Sequence, residues 1–243
     1  MKFGEKIQRS SEKNGSRVVL ALDFSDPYDV RLKRAEEVLA ATKREIAAVK
    51  VNHHLLLPYG LRGIQGLTGV CRQEGLPLIA DLKLSDIEST NLNAVDSLLA
   101  FGFDAVIANP FVGKEEGLGK VIERMHASEG GVILLVYMSH RGAAEGYGLR
   151  DERGRPLYRA FAERAREWGA DGVIVSAKTL DKIAETRRVV GNGCLIFAPG
   201  VGPQGGDTSS GAGRGADFII VGRSVTGASD PLEALRKVAT QSA

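Results

Sequence analysis

Cysteine is scarce in this chain: 243 residues hold only Cys71 and Cys194. One lies in an apolar helical stretch and the other in an apolar strand-like stretch, so they form no metal-spaced pair and read as inert core thiols. Long apolar runs are absent too. No stretch of about 18 apolar residues exists to span a bilayer, and the polar start from Met1 to Ser16 lacks the apolar segment of a secretory signal. A soluble, cytoplasmic protein without a membrane partner is therefore expected. Charge of one sign is also lacking: the net charge is +2, too small to imply a nucleic-acid partner, although a small anionic ligand remains open. There is no strong repeat, no low-complexity tail and no composition break that would mark a linker. With 43% apolar and 26% charged residues, the expectation is one globular domain spanning residues 1–243.

What the sequence does contain is an alternation of short β-branched or aliphatic runs with longer amphipathic stretches, the signature of βα units and a parallel sheet. Eight strands are predicted: Val18 to Asp23, Ala47 to Val51, Leu78 to Lys83, Ala105 to Asn109, Val132 to Tyr137, Gly172 to Ser176, Leu195 to Pro199 and Asp217 to Val221. Helical patterns cover Tyr28 to Ala41, Leu56 to Glu74, Ile87 to Phe101, Gly117 to His126, Leu157 to Trp168 and Thr179 to Val190. A last helix opens at Ser229, Asp230 and Pro231, a cap followed by proline in the first turn. Eight such units fit an α/β fold of the TIM (β/α)8-barrel type, although a doubly wound open sheet could use most of them.

Strand parity puts Asp81 and Lys83 on one face of the third strand and Leu82 and Leu84 on the other. The apolar pair should face the helices, leaving Asp81 and Lys83 inward at the C-terminal end, where barrel enzymes draw their catalytic groups. The same argument turns Asp23 inward at the end of strand one and Lys50 inward between Val49 and Val51. Asp86 follows where the chain leaves strand three for a helix. A single Asp–Lys pair reads readily as a structural ion pair. Four strand-end charges point to a function, because burying charge is costly even when it is paired.

The glycine-rich stretch Pro199 to Gly215 lies between strands seven and eight, where barrels often hold a phosphate on converging backbone N–H groups. Gly200 to Gly205 satisfies GxGxxG, but a dinucleotide fingerprint belongs at a first βα turn that runs straight into a helix, so a phosphate loop fits better. Arg223, just past strand eight, is placed to supply the counter-charge. His53 and His54 follow strand two; adjacent residues of a strand-like extension point apart, so the two do not readily share a metal ion. Ser139, at the end of strand five, lacks a GxSxG turn and suits a hydrogen bond to a ligand.

These motifs together resemble the orotidine monophosphate decarboxylase superfamily. Asp81-Leu82-Lys83-Leu84-Ser85-Asp86 is similar to its DxKxxD signature, Leu20-Ala21-Leu22-Asp23 to its first-strand aspartate motif and Val49-Lys50-Val51 to its second-strand lysine. Met138-Ser139-His140 resembles the base-contacting segment. Pro199-Gly200-Val201-Gly202, with Gln204 to Asp207, resembles the phosphate loop, and Ile220 to Ser224 the phosphate-gripping end. Magnesium-dependent sugar-phosphate members share DxKxxD but normally carry glutamate at the position of Lys50, and Thr90 matches the orotidine branch as well. Asn52 departs from the pattern, standing where many members have glycine.

The resemblance implies decarboxylation of orotidine 5'-monophosphate to uridine 5'-monophosphate, the last step of de novo pyrimidine nucleotide synthesis, with no cofactor and no metal. It implies that Lys83 is the general acid that protonates C6 and that Asp81 lies beside the substrate carboxylate. Asp23 and Lys50 would hold ribose hydroxyls, and Ser139 would read the base. Pro199 belongs to the phosphate loop, and Gln204, Arg223 and the backbone of Gly222 would bind the phosphate. Asp86 and Thr90 would reach into the site of a second subunit, making a homodimer with shared sites. A magnesium-dependent sugar-phosphate decarboxylase or aldolase, and a non-catalytic phosphate-ligand sensor, stand as alternatives.

Overall fold

The computed structural model describes residues 1–200 and 215–240. Helix α1 (Phe3–Asn14) leads into strand β1 (Val18–Ala21), α2 (Tyr28–Thr42), β2 (Ala48–Asn52), α3 (His53–Gly63), α4 (Gln65–Glu74) and β3 (Leu78–Leu84). Next come α5 (Glu88–Ala100), β4 (Ala105–Ala108), α6 (Gly119–Ala127), β5 (Gly131–Tyr137), α7 (Ala143–Tyr147), α8 (Leu157–Trp168) and β6 (Gly172–Val175). The chain ends with α9 (Leu180–Val190), β7 (Leu195–Pro199), β8 (Phe218–Val221), the short α10 (Arg223–Thr226) and α11 (Pro231–Thr240).

The eight strands close into one parallel barrel in sequence order, with β8 paired back onto β1. The predicted α/β barrel is therefore the fold, and the open-sheet alternative falls away. Strand parity sorts the apolar residues into two clusters. Leu20, Val49, Val51 and Leu134 face the helices, while Val19, Ala48, Ile79, Ile133 and Ile174 fill the barrel interior. Burial holds both thiols inert, pushing Cys71 and Cys194 up to about 12.

Three expectations need correction. The predicted helix Leu56 to Glu74 is two helices, because Ile64 leaves helical geometry between them, and α3 is itself kinked where Gly60 adopts φ 63°. His53 and His54 do not extend β2. They open α3, whose N-terminus is capped by the Asn52 side chain accepting the His54 N–H at 2.8 Å. Strand β1 stops at Ala21, two residues before Asp23.

Helix α1 was not anticipated, since its apolar stripe is only Phe3 and Ile7, one helical turn apart among polar residues. Both are fully buried in the interior cluster. Phe3 stacks on Phe197 with ring centroids 6.4 Å apart, and Lys6 pairs with Asp104 at 2.9 Å. The helix thus closes the N-terminal mouth. Glycine is required where the rings pass: a Cβ on Gly131 would lie 2.6 Å from Phe3, and one on Gly172 would lie 2.6 Å from Phe197.

Truncating a fully buried aromatic costs about 3–5 kcal/mol. Phe3→Ala is expected to lower unfolding stability by that amount in urea titration while leaving ligand binding at the opposite mouth unchanged under native conditions. A loss within experimental error would show that α1 does not seal the barrel.

Candidate active site

At the C-terminal mouth the strands surround a cavity of about 640 Å³, a volume suited to a nucleotide-sized ligand. Its charged wall comes from β1 to β3. Lys50, only 4% exposed, sits on β2 with its ammonium 2.6 Å from Asp81 Oδ2 and 3.5 Å from Asp23 Oδ1. Asp81 in turn receives Lys83 on its other oxygen at 2.7 Å. Asp23, Lys50, Asp81 and Lys83 therefore form a continuous line of alternating charge; parity holds for Lys50 and Asp81 on their strands, whereas Asp23 lies past the end of β1.

The electrostatics follow from burial and order. Burial alone would push Asp81 up, but Lys50 and Lys83 outweigh it and hold the carboxyl below its usual value. Burial would likewise push Lys50 down, but Asp81 and Asp23 outweigh it and raise the ammonium above its usual value. Asp81 therefore stabilises the fold above the ordinary carboxylate range and loses that contribution in acid. Lys50 stabilises it below the ordinary lysine range and loses its contribution only in strong alkali. Through neutral pH Asp81 and Lys50 are both charged.

Strict alternation does not continue through Lys83. Its φ is 50°, a left-handed conformation uncommon for a residue with a Cβ, and the register between β3 and β4 shifts between Ala80 and Leu84. Such an irregularity re-aims a side chain at a barrel rim. Lys83 meets Asp81 and remains 34% exposed, whereas Lys50 is enclosed.

Ile107, Leu135, Ile174 and Ile220, on β4, β5, β6 and β8, give the cavity an apolar wall. Ser139 lies just past β5, Pro199 ends β7, and Gly222 and Arg223 follow β8; all four line the same cavity. Asp86 and Thr90 do not. Both are exposed, Asp86 accepting the Ile87 N–H at 2.7 Å and Thr90 lying on α5. Gln204 and residues 201–214 of the glycine-rich stretch lie outside the described residues.

Two cavity-lining cations escaped the sequence reading, Arg141 and Lys178, while Asn52, His140 and Ser224, which it named without assigning a role of their own, line the cavity as well. Arg141 and Lys178 stand just past the ends of β5 and β6, the same kind of position that made Arg223 visible, so strand-end placement could have found them. Arg141, Lys178 and Arg223 make no ion pair among the described residues. One side of the mouth is thus charge-balanced, and among the described residues the other carries cations without acids.

Fold and site together define a (β/α)8-barrel enzyme that draws its polar groups from strand ends. Within that class, residues 16–238 match the Orotidine 5'-phosphate decarboxylase / HUMPS family, and the chain belongs to it. Orotidine 5'-phosphate decarboxylase of Methanosarcina barkeri is 38% identical over 228 residues, covering 93% of this chain and 94% of that one. The Thermococcus kodakarensis enzyme is 38% identical over 223 residues, covering 92% and 95%. Among solved structures, orotidine 5'-phosphate decarboxylase from Pyrococcus horikoshii superposes with a TM-score of 0.75 at 34% identity, covering 93% of this chain and 98% of that one. Orotidine 5'-monophosphate decarboxylase from Methanocaldococcus jannaschii, solved with the inhibitor BMP, superposes with a TM-score of 0.78 at 25% identity, covering 93% and 98%.

The charge array makes a stability prediction. Asp81→Ala leaves Lys50 buried with one carboxylate at 3.5 Å, and removing one partner of a buried pair costs about 3–5 kcal/mol. The deficit in denaturant unfolding should shrink as pH rises above neutral. The buried ammonium, left with only the more distant Asp23, sheds its proton more readily in the folded chain than in the unfolded one, so stability climbs with pH. A deficit that does not change with pH would mean that Lys50 is not the group left unpaired.

Proposed function

We propose that this chain decarboxylates orotidine 5'-monophosphate to uridine 5'-monophosphate and carbon dioxide, the last step of de novo pyrimidine nucleotide synthesis. The observation that carries the proposal is the unbroken Asp23–Lys50–Asp81–Lys83 array over the cavity of a barrel in this family. The unit is the whole barrel chain, and the compartment is the cytoplasm.

In this mechanism the substrate carboxylate lies against Asp81, whose two oxygens are already held by Lys50 and Lys83 and cannot easily swing away. Like charge raises the ground state. Once carbon dioxide leaves, negative charge concentrates at C6 and the repulsion is replaced by attraction to Lys83, which gives C6 its proton and regains one from solvent. Asp23 and Lys50 hold the ribose hydroxyls, and Ser139 hydrogen-bonds the base. Pro199, Gln204, Gly222 and Arg223 hold the phosphate, in a part of the mouth where cations that make no ion pair among the described residues suit an anion. No cofactor takes part.

The magnesium-dependent reading has less support from this geometry. Lys50 stands between Asp23 and Asp81, the place a cation bridging those two carboxylates would occupy. Among the described residues no group of three or more His, Cys, Asp or Glu side chains converges as a metal site.

Turnover is tested by the fall in absorbance as orotidine 5'-monophosphate is consumed, with EDTA present. The wild type is expected to be active, and Lys83→Ala inactive while still binding uridine 5'-monophosphate. No wild-type turnover would overturn the proposal, and substantial turnover by Lys83→Ala would overturn the general-acid role.

The active form in this proposal is a homodimer that shares its sites. Leu57 on α3, Ile87 beside Asp86, and Phe111 past β4 are 77%, 63% and 67% exposed. All follow β2, β3 or β4, so they crowd one side of the mouth, as an interface would. Asp86 and Thr90 follow β3 as Ile87 does, are exposed and do not line their own cavity, which leaves them to serve the partner's. Lys83→Ala and Asp86→Ala chains, each nearly inactive, should regain activity when unfolded and reassembled together. Random pairing makes roughly half of the dimers hybrid, with one intact site in each, so roughly a quarter of all sites recover under two-fold symmetry. A mixture no more active than the mean of its parents, with hybrids seen by native mass spectrometry, would defeat the shared site.

A further inference from the structure

Asn52 ends β2 and pairs in register with Asp81. Its amide makes two different bonds: Oδ1 accepts the His54 N–H at 2.8 Å and caps α3, while Nδ2 donates to Asp23 Oδ1 at 2.7 Å. The first bond fixes the second. Only the oxygen can accept an N–H, so the nitrogen has to face Asp23.

Asp23 depends on that donor. Its backbone is secured by Thr226, whose hydroxyl donates to the Asp23 carbonyl at 2.7 Å, but its carboxylate lies beyond the end of β1. Lys50 is drawn to Asp81 at 2.6 Å and stands 3.5 Å from Asp23, at the outer limit of a hydrogen bond. Among the described residues Asn52 is the one close donor to Oδ1. Asp23 Oδ2 makes no hydrogen bond among the described residues and lies beside Gly222, where an added Cβ would come within 3.2 Å of it.

We propose that Asn52 is a positioning residue: it clamps one oxygen of Asp23, so that the other stays presented to a ligand hydroxyl and Lys50 stays committed to Asp81. The proposal rests on the decarboxylase reading of this site and deepens it. A neutral donor is what the position needs. It satisfies Asp23 without adding a third cation to an array of two acids and two bases, whereas an acid there would set carboxylate against carboxylate.

Capping and clamping are separable, because Asn, Asp and Ser cap helices about equally well. Asn52→Ser should melt close to the wild-type temperature, and Asn52→Asp should approach it as pH falls and the introduced carboxyl is protonated. At neutral pH, Asn52→Asp is expected to lose about tenfold or more in kcat/KM for orotidine 5'-monophosphate, because the introduced carboxylate repels Asp23. Its ratio to wild type should recover as pH falls. A carboxyl beside another carboxylate takes up its proton early and can then donate to Asp23 as the amide does. Asn52→Ser, too short to reach Asp23, should show a smaller loss, independent of pH and mainly in KM, because Asp23 grips substrate and transition state alike.

Wild-type kcat/KM in Asn52→Asp at neutral pH, or a deficit of the same size at every pH, would overturn the clamp. A wild type that fails to turn over orotidine 5'-monophosphate would sink the decarboxylase reading instead. The clamp is then decided by calorimetric binding of uridine 5'-monophosphate, where the same pH-dependent deficit supports it and its absence overturns it.

Discussion

The mouth of this barrel is organised around one buried ammonium. Lys50 is 4% exposed, and an ion so enclosed is tolerable only if its charge is met at close range. Asp81 meets it at 2.6 Å and Asp23 at 3.5 Å, which ties together the ends of three neighbouring strands. Asp81 then has a second oxygen to satisfy, and Lys83 satisfies it. Asp23 has an oxygen that Lys50 reaches poorly, and Asn52 reaches it well. Each member of the array is placed by the shortfall of the one before it.

Closing the sheet is what brings these groups together. The register that sets Ala21 against Lys50 and Asn52 against Asp81 comes from apolar residues alternating between the helix-facing core and the barrel interior. That interior is packed with Ile and Phe up to the level of the charges, and α1 seals it from below with Phe3. Water is excluded from one end and admitted at the other. The strand-end charges sit at that boundary, where their interactions are stronger than in bulk water and a ligand can still arrive.

Much of this was legible because it depends on a period of two. Asp23, Lys50 and Asp81 were assigned inward from parity alone, and the eight strands were counted from runs of Val, Ile, Leu and Ala. What escaped depends on something other than periodicity. The turn of Lys83 to φ 50° comes from pairing between β3 and β4, which a single strand does not display. Helix α1 shows only two apolar residues, and its partner Phe197 is nearly 200 positions away. Asn52 looks like a departure in the sequence because its value is a pair of hydrogen bonds, one of them to a residue 29 positions distant. Arg141 and Lys178 look like surface cations until the barrel closes around them. Asp86 and Thr90, expected to act outside their own site, do not line its cavity.

The two lysines of the array divide the work that one chemistry demands. Lys50 is enclosed, and its carboxylate partners raise its ammonium above the usual value, so in the proposed reaction it serves as a fixed charge. A proton donor needs the reverse: access to the ligand for giving the proton, and access to solvent for regaining it. Lys83 has both, at 34% exposure on the cavity wall. The left-handed turn that puts it there is a strained conformation, of a kind that costs of order 1–3 kcal/mol and persists only where its surroundings enforce it. Here the buried Leu84 anchors the strand on one side and the bond to Asp81 holds the side chain on the other. Relaxing the turn would separate Lys83 from Asp81, so the ion pair that arms the proposed reaction also holds the backbone in the shape the reaction requires.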